Sequence, residues 1–439
     1  MIYKYGIDFG TTNSSIAMRF VGDDDVEHTI VVDLQDIAPR ETIPSVVFID
    51  TKNNKDKVCA GAEAIEQYVQ NGGKQNEQRF IKQIKLDLEK MGENFSYKVG
   101  NGTFAGEHLI AQILKVLRLK AERVADELEI DMAGVVMGVP VQYGDIQKNV
   151  LCRALARAGF YRDEREATAK TEFVSEPIAV AVHYGLGAEQ NRKIMVFDFG
   201  GGTLDVAIVD LQKQDGSKKI TPHEVLSKER ITLGGEELTR LFFVNSFCAN
   251  NKYGTQRLAK ALGVKKNASP QDIWQRLLQT EVGIKFIAAI EKCKCDLSKA
   301  LKYKFSFMNR NVLLDEVTFY REDFSNAIAS KLADIDKLID KCLENAGVDD
   351  AYDIDNVILA GGSSMIPAVQ DLLTDRFGNT RVSSKLSIQD DVVSQFKRNR
   401  AKESEVLTSI VRGLAAIGCR DEALVEDVVD SDYGVWDAK

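Results

Sequence analysis

A short hydrophobic run, interrupted by an aspartate and closed by glycine, occurs twice along the chain. Ile7-Asp8-Phe9-Gly10 leads through Thr11-Thr12-Asn13 into Ile16-Ala17-Met18, and Phe197-Asp198-Phe199-Gly200 leads through Gly201-Gly202-Thr203 into Val206-Ala207-Ile208-Val209. Each copy reads as a strand, a tight turn and a second strand, a β-hairpin whose tip carries an aspartate with hydroxyl or glycine residues. About 190 positions separate the two copies, which predicts a duplicated fold.

Strand-like and helix-like runs alternate around these hairpins. Val135 to Pro140 reads as a buried strand, and Ile146 to Ala158, apolar at 150, 151, 154, 155 and 158, as an amphipathic helix. Val357 to Ala360 predicts another strand, followed by Gly361-Gly362-Ser363-Ser364 and a helix from about Pro367, with proline in its first turn. Such alternation predicts an α/β fold with mixed sheets and flanking helices. The polar stretch from about 41 to 105 and the mainly helical one from about 233 to 318, including a helical run from Asp272 to Ser298, break the rhythm and read as insert subdomains. The expected plan is one lobe over 1–190, a second over 191–420, and a tail over 421–439. The last helix, about 405–419, is a candidate for returning toward the first lobe.

At 439 residues the chain exceeds what one core usually supports, which agrees with two lobes. A net charge of −9 gives no electrostatic support for phosphate-backbone binding, so nucleic acid is not an expected partner. The N-terminus lacks the pattern of a secretory signal and no run of 18 apolar residues occurs, which predicts a cytoplasmic protein without a membrane partner. Seven scattered cysteines, of which only Cys293 and Cys295 are close, read as reduced thiols, and four scattered histidines offer no zinc pattern.

The two hairpin tips have the chemistry of a polyphosphate site. Gly200, Gly201 and Gly202 permit a tight turn and close backbone approach, while Gly10, Thr11, Thr12, Asn13 and Thr203 surround it with further donors. Asp8, Asp198 and Asp205 facing a polyphosphate call for a hydrated Mg²⁺ between. No GxxxxGK[ST] loop occurs and no GxGxxG opens a helix, which sets aside Walker-type NTPases and dinucleotide enzymes.

Three segments together resemble the nucleotide-site signatures of heat-shock protein 70 (DnaK-like) chaperones: Ile7 to Ser14, Phe197 to Asp205, and Ile358 to Pro367. Ile43-Pro44-Ser45, Gly138-Val139-Pro140, Ser175-Glu176-Pro177 and Leu233-Gly234-Gly235-Glu236 extend the likeness over nearly the whole chain. The resemblance implies an actin-like ATPase fold, two ribonuclease-H-like lobes each with a smaller insert subdomain, and ATP or ADP in the cleft with Mg²⁺, potassium being a second candidate ion. It implies that Thr11, Thr12 and Gly201 to Thr203 grip the phosphates, that Asp8 and Asp198 place the hydrated metal and the water, and that Glu176 and Asp205 complete the polar cage. Its phosphate-side lysine corresponds to Lys82, with Lys85 as the alternative one helical turn on. Gly234 and Gly235 fall in its nucleotide site, and Glu291, Lys294 and Ser298, on one helix face, would hold the adenosine with Gly361, Gly362 and Ser363 opposite. Implied partners are client polypeptides, a co-chaperone and a nucleotide-exchange factor.

The sequence departs from that family where two arginines would sandwich the adenine: Cys295 and Met365 stand there, and Leu407 stands where an acidic residue is expected. About twenty residues follow Gly418, too few for a peptide-binding β-sandwich, and Tyr433-Gly434-Val435-Trp436 reads as a strand with nothing to pair against. The expectation is a piece of a longer protein, with a stand-alone relative as the alternative. Competing readings are a nucleotide-binding pseudo-ATPase scaffold, an actin-like filament former, and a sugar or acetate kinase.

Overall fold

The computed structural model describes residues 2–22, 26–35, 40–50, 57–71, 79–92, 95–185, 192–213, 220–265, 268–309, 312–383 and 395–420. Both aspartate hairpins form as the sequence predicts. Ile2–Phe9 pairs antiparallel with Asn13–Val21, and Arg192–Phe199 with Leu204–Lys213, so that Asp8 and Asp198 are the last residues but one of their strands before the turn. Each hairpin nucleates a sheet of the same plan. In the first, the strand order is Glu27–Val31, Asn13–Val21, Ile2–Phe9, Met132–Val139 and Thr171–Ser175, with the short strands Ile43–Pro44 and Cys419–Arg420 added beside it. In the second, the order is Ile220–Ile231, Leu204–Lys213, Arg192–Phe199, Asn356–Ala360 and Val382–Ser383. In both, the first three strands are antiparallel and the last two join in parallel, the latter requiring helical crossovers. This repeated order is the duplication read from the sequence, and the architecture is the actin-like ATPase fold.

The amphipathic run after the third strand of the first sheet forms the helix Asp145–Ala158, which buries Val150, Leu151, Ala154, Leu155 and Ala158 as its periodicity requires. Pro367 opens the helix Pro367–Phe377 at its first position. Two expectations need correction. The helical run Asp272 to Ser298 is two helices, Pro270–Leu277 and Glu281–Lys299, because Thr280 caps the second by accepting from Gly283 N at 3.0 Å. The region 233–318, expected to be mainly helical, also contains a hairpin, Lys302–Asn309 with Val312–Tyr320, whose Phe305, Phe307, Leu314 and Phe319 alternate inward onto the helices. The stretch 421–439, including the strand-like run Tyr433 to Trp436, lies outside the described residues. Among the described residues no helix is long and apolar enough to cross a membrane.

Three buried clusters organise the molecule. One lies on each sheet, and a third, built from Val136, Val180, Val196, Ile358, Ile410 and Leu414 with their neighbours, joins the two. It is carried by two helices that cross between the sheets, Glu176–Gly185 and Gln395–Gly418. The C-terminal one packs on Ile2–Phe9 and Asn13–Val21 of the first sheet, far from it in sequence. Their contact is close because glycine sits at the crossing: a methyl group at Gly413 would run into the Ala179 carbonyl oxygen. Gly6 makes the matching approach beneath the same helix, where a Cβ would crowd the Ala415 backbone.

Alanine in place of glycine within a helix ordinarily stabilises by up to about 1 kcal/mol. At Gly413 the sign should reverse. Gly413→Ala is expected to lower the stability by about 2 kcal/mol or more, because backbone cannot give way as a side chain can. Urea unfolding of the variant beside the wild type measures this, and a neutral or stabilised variant would contradict the close crossing.

Candidate functional site

The hairpin tips face one another at the floor of the cleft. A side chain at Gly201 would collide with Thr12, and one at Gly202 would come within 2.8 Å of the Thr11 methyl. The glycines therefore let two backbones meet edge to edge across the lobes. Ser45 N donates to Thr12 O at 2.8 Å and fixes the first tip, while Gly235 N and Glu236 N donate to Gly200 O and Gly201 O, each at 3.0 Å, and fix the second. Gly361, at a φ of 72°, passes so close to the second hairpin that a Cβ would lie 2.6 Å from Asp198 Oδ1.

A cavity of about 110 Å³ lies between the tips, lined by Asp8, Gly10, Thr11, Thr12, Asn13, Lys85, Glu176, Asp198, Gly200, Gly201, Gly202, Thr203, Asp205, Arg230, Gly361 and Gly362. Four carboxylates there face two cations. Burial pushes Asp8 up to about 7, Glu176 adding to the effect and Lys85 opposing it. Burial, then the charges of Glu176, Asp205 and Asp8, drives Asp198 well above the usual carboxylate range. Asp205 rises to about 6 through burial, although Arg230 opposes it. Lys85 donates to Glu176 Oε1 at 2.5 Å. Burial works against its charge, but Glu176 and Asp8 outweigh that and raise its pKa.

Of the two candidate lysines, Lys85 and not Lys82 reaches the carboxylate-lined cavity. Lys82 sits 5.2 Å above the Phe80 ring and lines a wider cleft of about 910 Å³ with Gly201, Gly202, Glu236 and Trp274. The physical reason is Gln83 between them. At φ 55° it begins the helix Ile84–Met91 from a left-handed conformation, so Lys82 and Lys85 do not share a helical face.

On the other side of the second tip, Lys294 is buried. Its ammonium donates to Gly235 O at 2.9 Å and Thr239 Oγ1 at 3.1 Å and pairs with Glu291 at 2.8 Å. Ser298 Oγ donates to Lys294 O at 3.2 Å. Ser363 Oγ donates to Gly200 O at 2.8 Å, which ties the turn after Ala360 to the glycine loop. Gly234, Gly235, Lys294 and Ser363 therefore meet at the tip, with Glu291 beside them. Cys295 is exposed and its thiol is 3.7 Å from Glu291 Oε1, while Met365 Sδ is 3.8 Å from Gln370 Nε2, so these two point to partners of their own segments. Leu407 lines the phosphate-side cavity next to Gly362.

The sequence reading missed Arg230, Thr42 and Ile410, all of which line the cavity, and Tyr143, whose hydroxyl donates to Lys85 O at 2.9 Å. No residue-type pattern of a polyphosphate site marks these positions, and only tertiary pairing brings them here.

The residues present fit a metal-bound polyphosphate. The carboxylate excess matches a divalent cation, and the buried Thr12 Oγ1 has no hydrogen-bond partner. Among the described residues no three carboxylate, cysteine or histidine groups converge as direct metal ligands. Asp8 and Asp198 would hold it, with Thr11, Thr12 and the Gly200 to Thr203 turn as donors.

The fold and site together define a two-lobed, actin-like ATPase fold with an acidic, glycine-lined cleft floor. The profile of the Hsp70 protein family matches residues 4–396, and the chain belongs to that family. It is 30% identical over 390 residues to the chaperone protein DnaK of Prochlorococcus marinus (strain MIT 9515), covering 84% of this chain and 54% of that protein. It is 28% identical over 400 residues to the chaperone protein dnaK of Phaeodactylum tricornutum, covering 85% and 57%, and 30% identical over 395 residues to that of Cyanidioschyzon merolae, again 85% and 57%. The chain spans little more than half the length of these relatives.

Because the folded protein holds Asp8 with a raised pKa, it binds more protons than the unfolded chain between pH 4 and 7. Its contribution is therefore favourable at low pH and is lost as pH rises through 7. Asp8→Asn should stabilise the nucleotide-free protein in chelator by roughly 2–4 kcal/mol at pH 8 and by much less at pH 4.5. Thermal unfolding of both proteins across this range checks the sign, and an equal effect at the two pH values would contradict it.

Proposed function

We propose that this chain binds ATP with Mg²⁺ in the cleft and hydrolyses it slowly, using the cycle to change lobe closure in a chaperone of the Hsp70 family. The observation that carries this reading is the meeting of both hairpin tips with Lys85, Glu176 and three aspartates around one cavity. In this arrangement backbone N–H groups of Gly201 to Thr203 and the hydroxyls of Thr11 and Thr12 bind the β- and γ-phosphates. Lys85, held by Glu176, presents a point cation to the oxygens where negative charge develops. Asp198 and Asp8 orient water. As the carboxylate, Asp198 accepts the proton that the water loses as its oxygen bonds to the γ-phosphorus and the bond to the β-phosphate oxygen breaks, and that proton then passes to the released phosphate. Bound Mg²⁺ would supply charge neutralisation for the phosphates and the surrounding carboxylates.

The cavity of about 110 Å³ between the tips is smaller than the roughly 300 Å³ that a ligand pocket needs, so a whole nucleotide would also occupy the adjoining cleft of about 910 Å³ that shares Gly201 and Gly202 with it. The crossing helices are the natural hinge, since each lobe rests on one of them. Closure around the phosphates is then the mechanical output. Similarity to proteins named as chaperones points to client polypeptides as what the cycle serves, with a co-chaperone and an exchange factor setting its pace. On the adenosine side Cys295 and Met365 replace a cation–π sandwich, a loss of about 0.5–2 kcal/mol, so base selectivity is looser than phosphate recognition. That asymmetry also favours a second reading, a scaffold that binds nucleotide without hydrolysing it.

Isothermal titration with ATP and ADP, with and without Mg²⁺, followed by phosphate release on the same sample, separates the two readings. The ATPase predicts magnesium-dependent binding with slow release, the scaffold binding alone, and neither survives an absence of binding. Asp198→Asn should retain nucleotide affinity within about threefold while turnover falls tenfold or more. Unchanged turnover in that variant would remove the assigned role of Asp198.

A further inference from the structure

Asp198 and Asp205 stand directly opposite one another across the second hairpin, and the next residue in the same row of the sheet is Arg230. Two like charges in this relation oppose pairing, and an opposite charge beside them offsets it. The Arg230 Nε lies 3.0 Å from Asp205 Oδ1 as an ion pair without hydrogen-bond alignment, and its NH1 donates at 3.0 Å to Glu89 Oε2. Glu89 belongs to the other lobe, on the helix Ile84–Met91 that also carries Lys85. It is steadied from its own side by Gln142 Nε2 at 3.2 Å.

The strand itself leaves Arg230 this direction. Its neighbour Glu229 is taken by Lys341 at 2.7 Å and Asn345 at 2.6 Å on the helix Arg321–Asn345, and successive strand residues face opposite ways. Arg230 therefore turns into the cleft. There it lines the phosphate-side cavity, the wide cleft above it, and a third cavity of about 180 Å³ behind Glu176, Asp198 and Asp205. One guanidinium thus ties a carboxylate of the site to an acidic side chain of the facing lobe.

We propose that Arg230 is a positioning residue and an interlobe strap: it fixes the Asp205 carboxylate and, through Glu89, makes that placement depend on lobe closure. The catalytic half of this proposal rests on the ATPase reading, whereas the strap does not. With the lobes apart, Arg230 keeps Asp205 and loses Glu89, so the carboxylate is less constrained. With the lobes together, both ends are held and Asp205 is set for turnover. Arginine suits this better than lysine because its rigid fork holds two carboxylates at once.

The test is a double-mutant cycle on the nucleotide-free protein. Spin labels at the exposed Lys98 and Lys260, in a Cys295→Ser background, report the spread of distances between the two insert subdomains. Arg230→Met and Glu89→Gln should each widen that spread, and the double variant should widen it no further, with Arg230→Lys in between. Additive widening overturns the strap. With MgATP, Arg230→Met should lower kcat about tenfold with KM within about threefold, and Arg230→Lys should recover at least about threefold of it. A loss confined to KM, or no rescue by lysine, overturns the positioning role. If the unmodified chain hydrolyses no ATP, the ATPase reading falls while the nucleotide-free cycle still decides the strap. Thermal melts verify folding first, and should Arg230→Met not fold, the Glu89→Gln and Arg230→Lys arms carry the decision.

Discussion

The structure depends on keeping four carboxylates together at the floor of a cleft without letting their repulsion open it. Asp8, Glu176, Asp198 and Asp205 line one small cavity, and among the described residues only Lys85 and Arg230 stand with them as cations. Burial and mutual repulsion raise the pKa of the three aspartates. A protein gains nothing in stability from such a group. Its cost is met by the two apolar cores that grip the hairpins from behind, and the arrangement makes sense as a receptor for a ligand that brings positive charge of its own.

The surrounding architecture follows from holding that group between two independent sheets. Each aspartate lies within a strand next to a hairpin turn, so each is positioned by a ladder of backbone hydrogen bonds and not by a loose loop. The sheets meet through glycine tips on one side and through two crossing helices on the other. Tight packing at Gly413 and Gly6 makes that crossing a pivot and leaves little room for sliding. On the proposed function, opening and closing about this crossing is the motion that the charge state of the cleft floor would bias.

The local signals were the legible ones. Both hairpins, the strand Met132–Val139, the helix Asp145–Ala158 and the glycine turns at 200–202 and 361–362 follow from periodicity and backbone freedom within a few residues. Choosing between Lys82 and Lys85 was beyond that reach, because Gln83 at positive φ interrupts the helical spacing on which the choice would rest. Lys294 shows the same limit: its helix spacing is compatible with a solvated face, yet the chain folds its ammonium against Gly235 and Thr239. The hairpin Lys302–Asn309 with Val312–Tyr320 hid inside a region of helical character because its alternation is short and its outward residues include Leu313 and Met308.

By itself the sequence determined the duplicated hairpins, the alternation of strand and helix, and the residue types of a polyphosphate site, since these are set by neighbours a few positions apart. Tertiary structure alone decided which lysine faces the carboxylates and that Arg230 bridges Asp205 to Glu89. Those contacts join residues from 25 to more than 100 positions apart. Their energies depend on burial and on partners that exist only once both lobes have formed, and no local pattern encodes them.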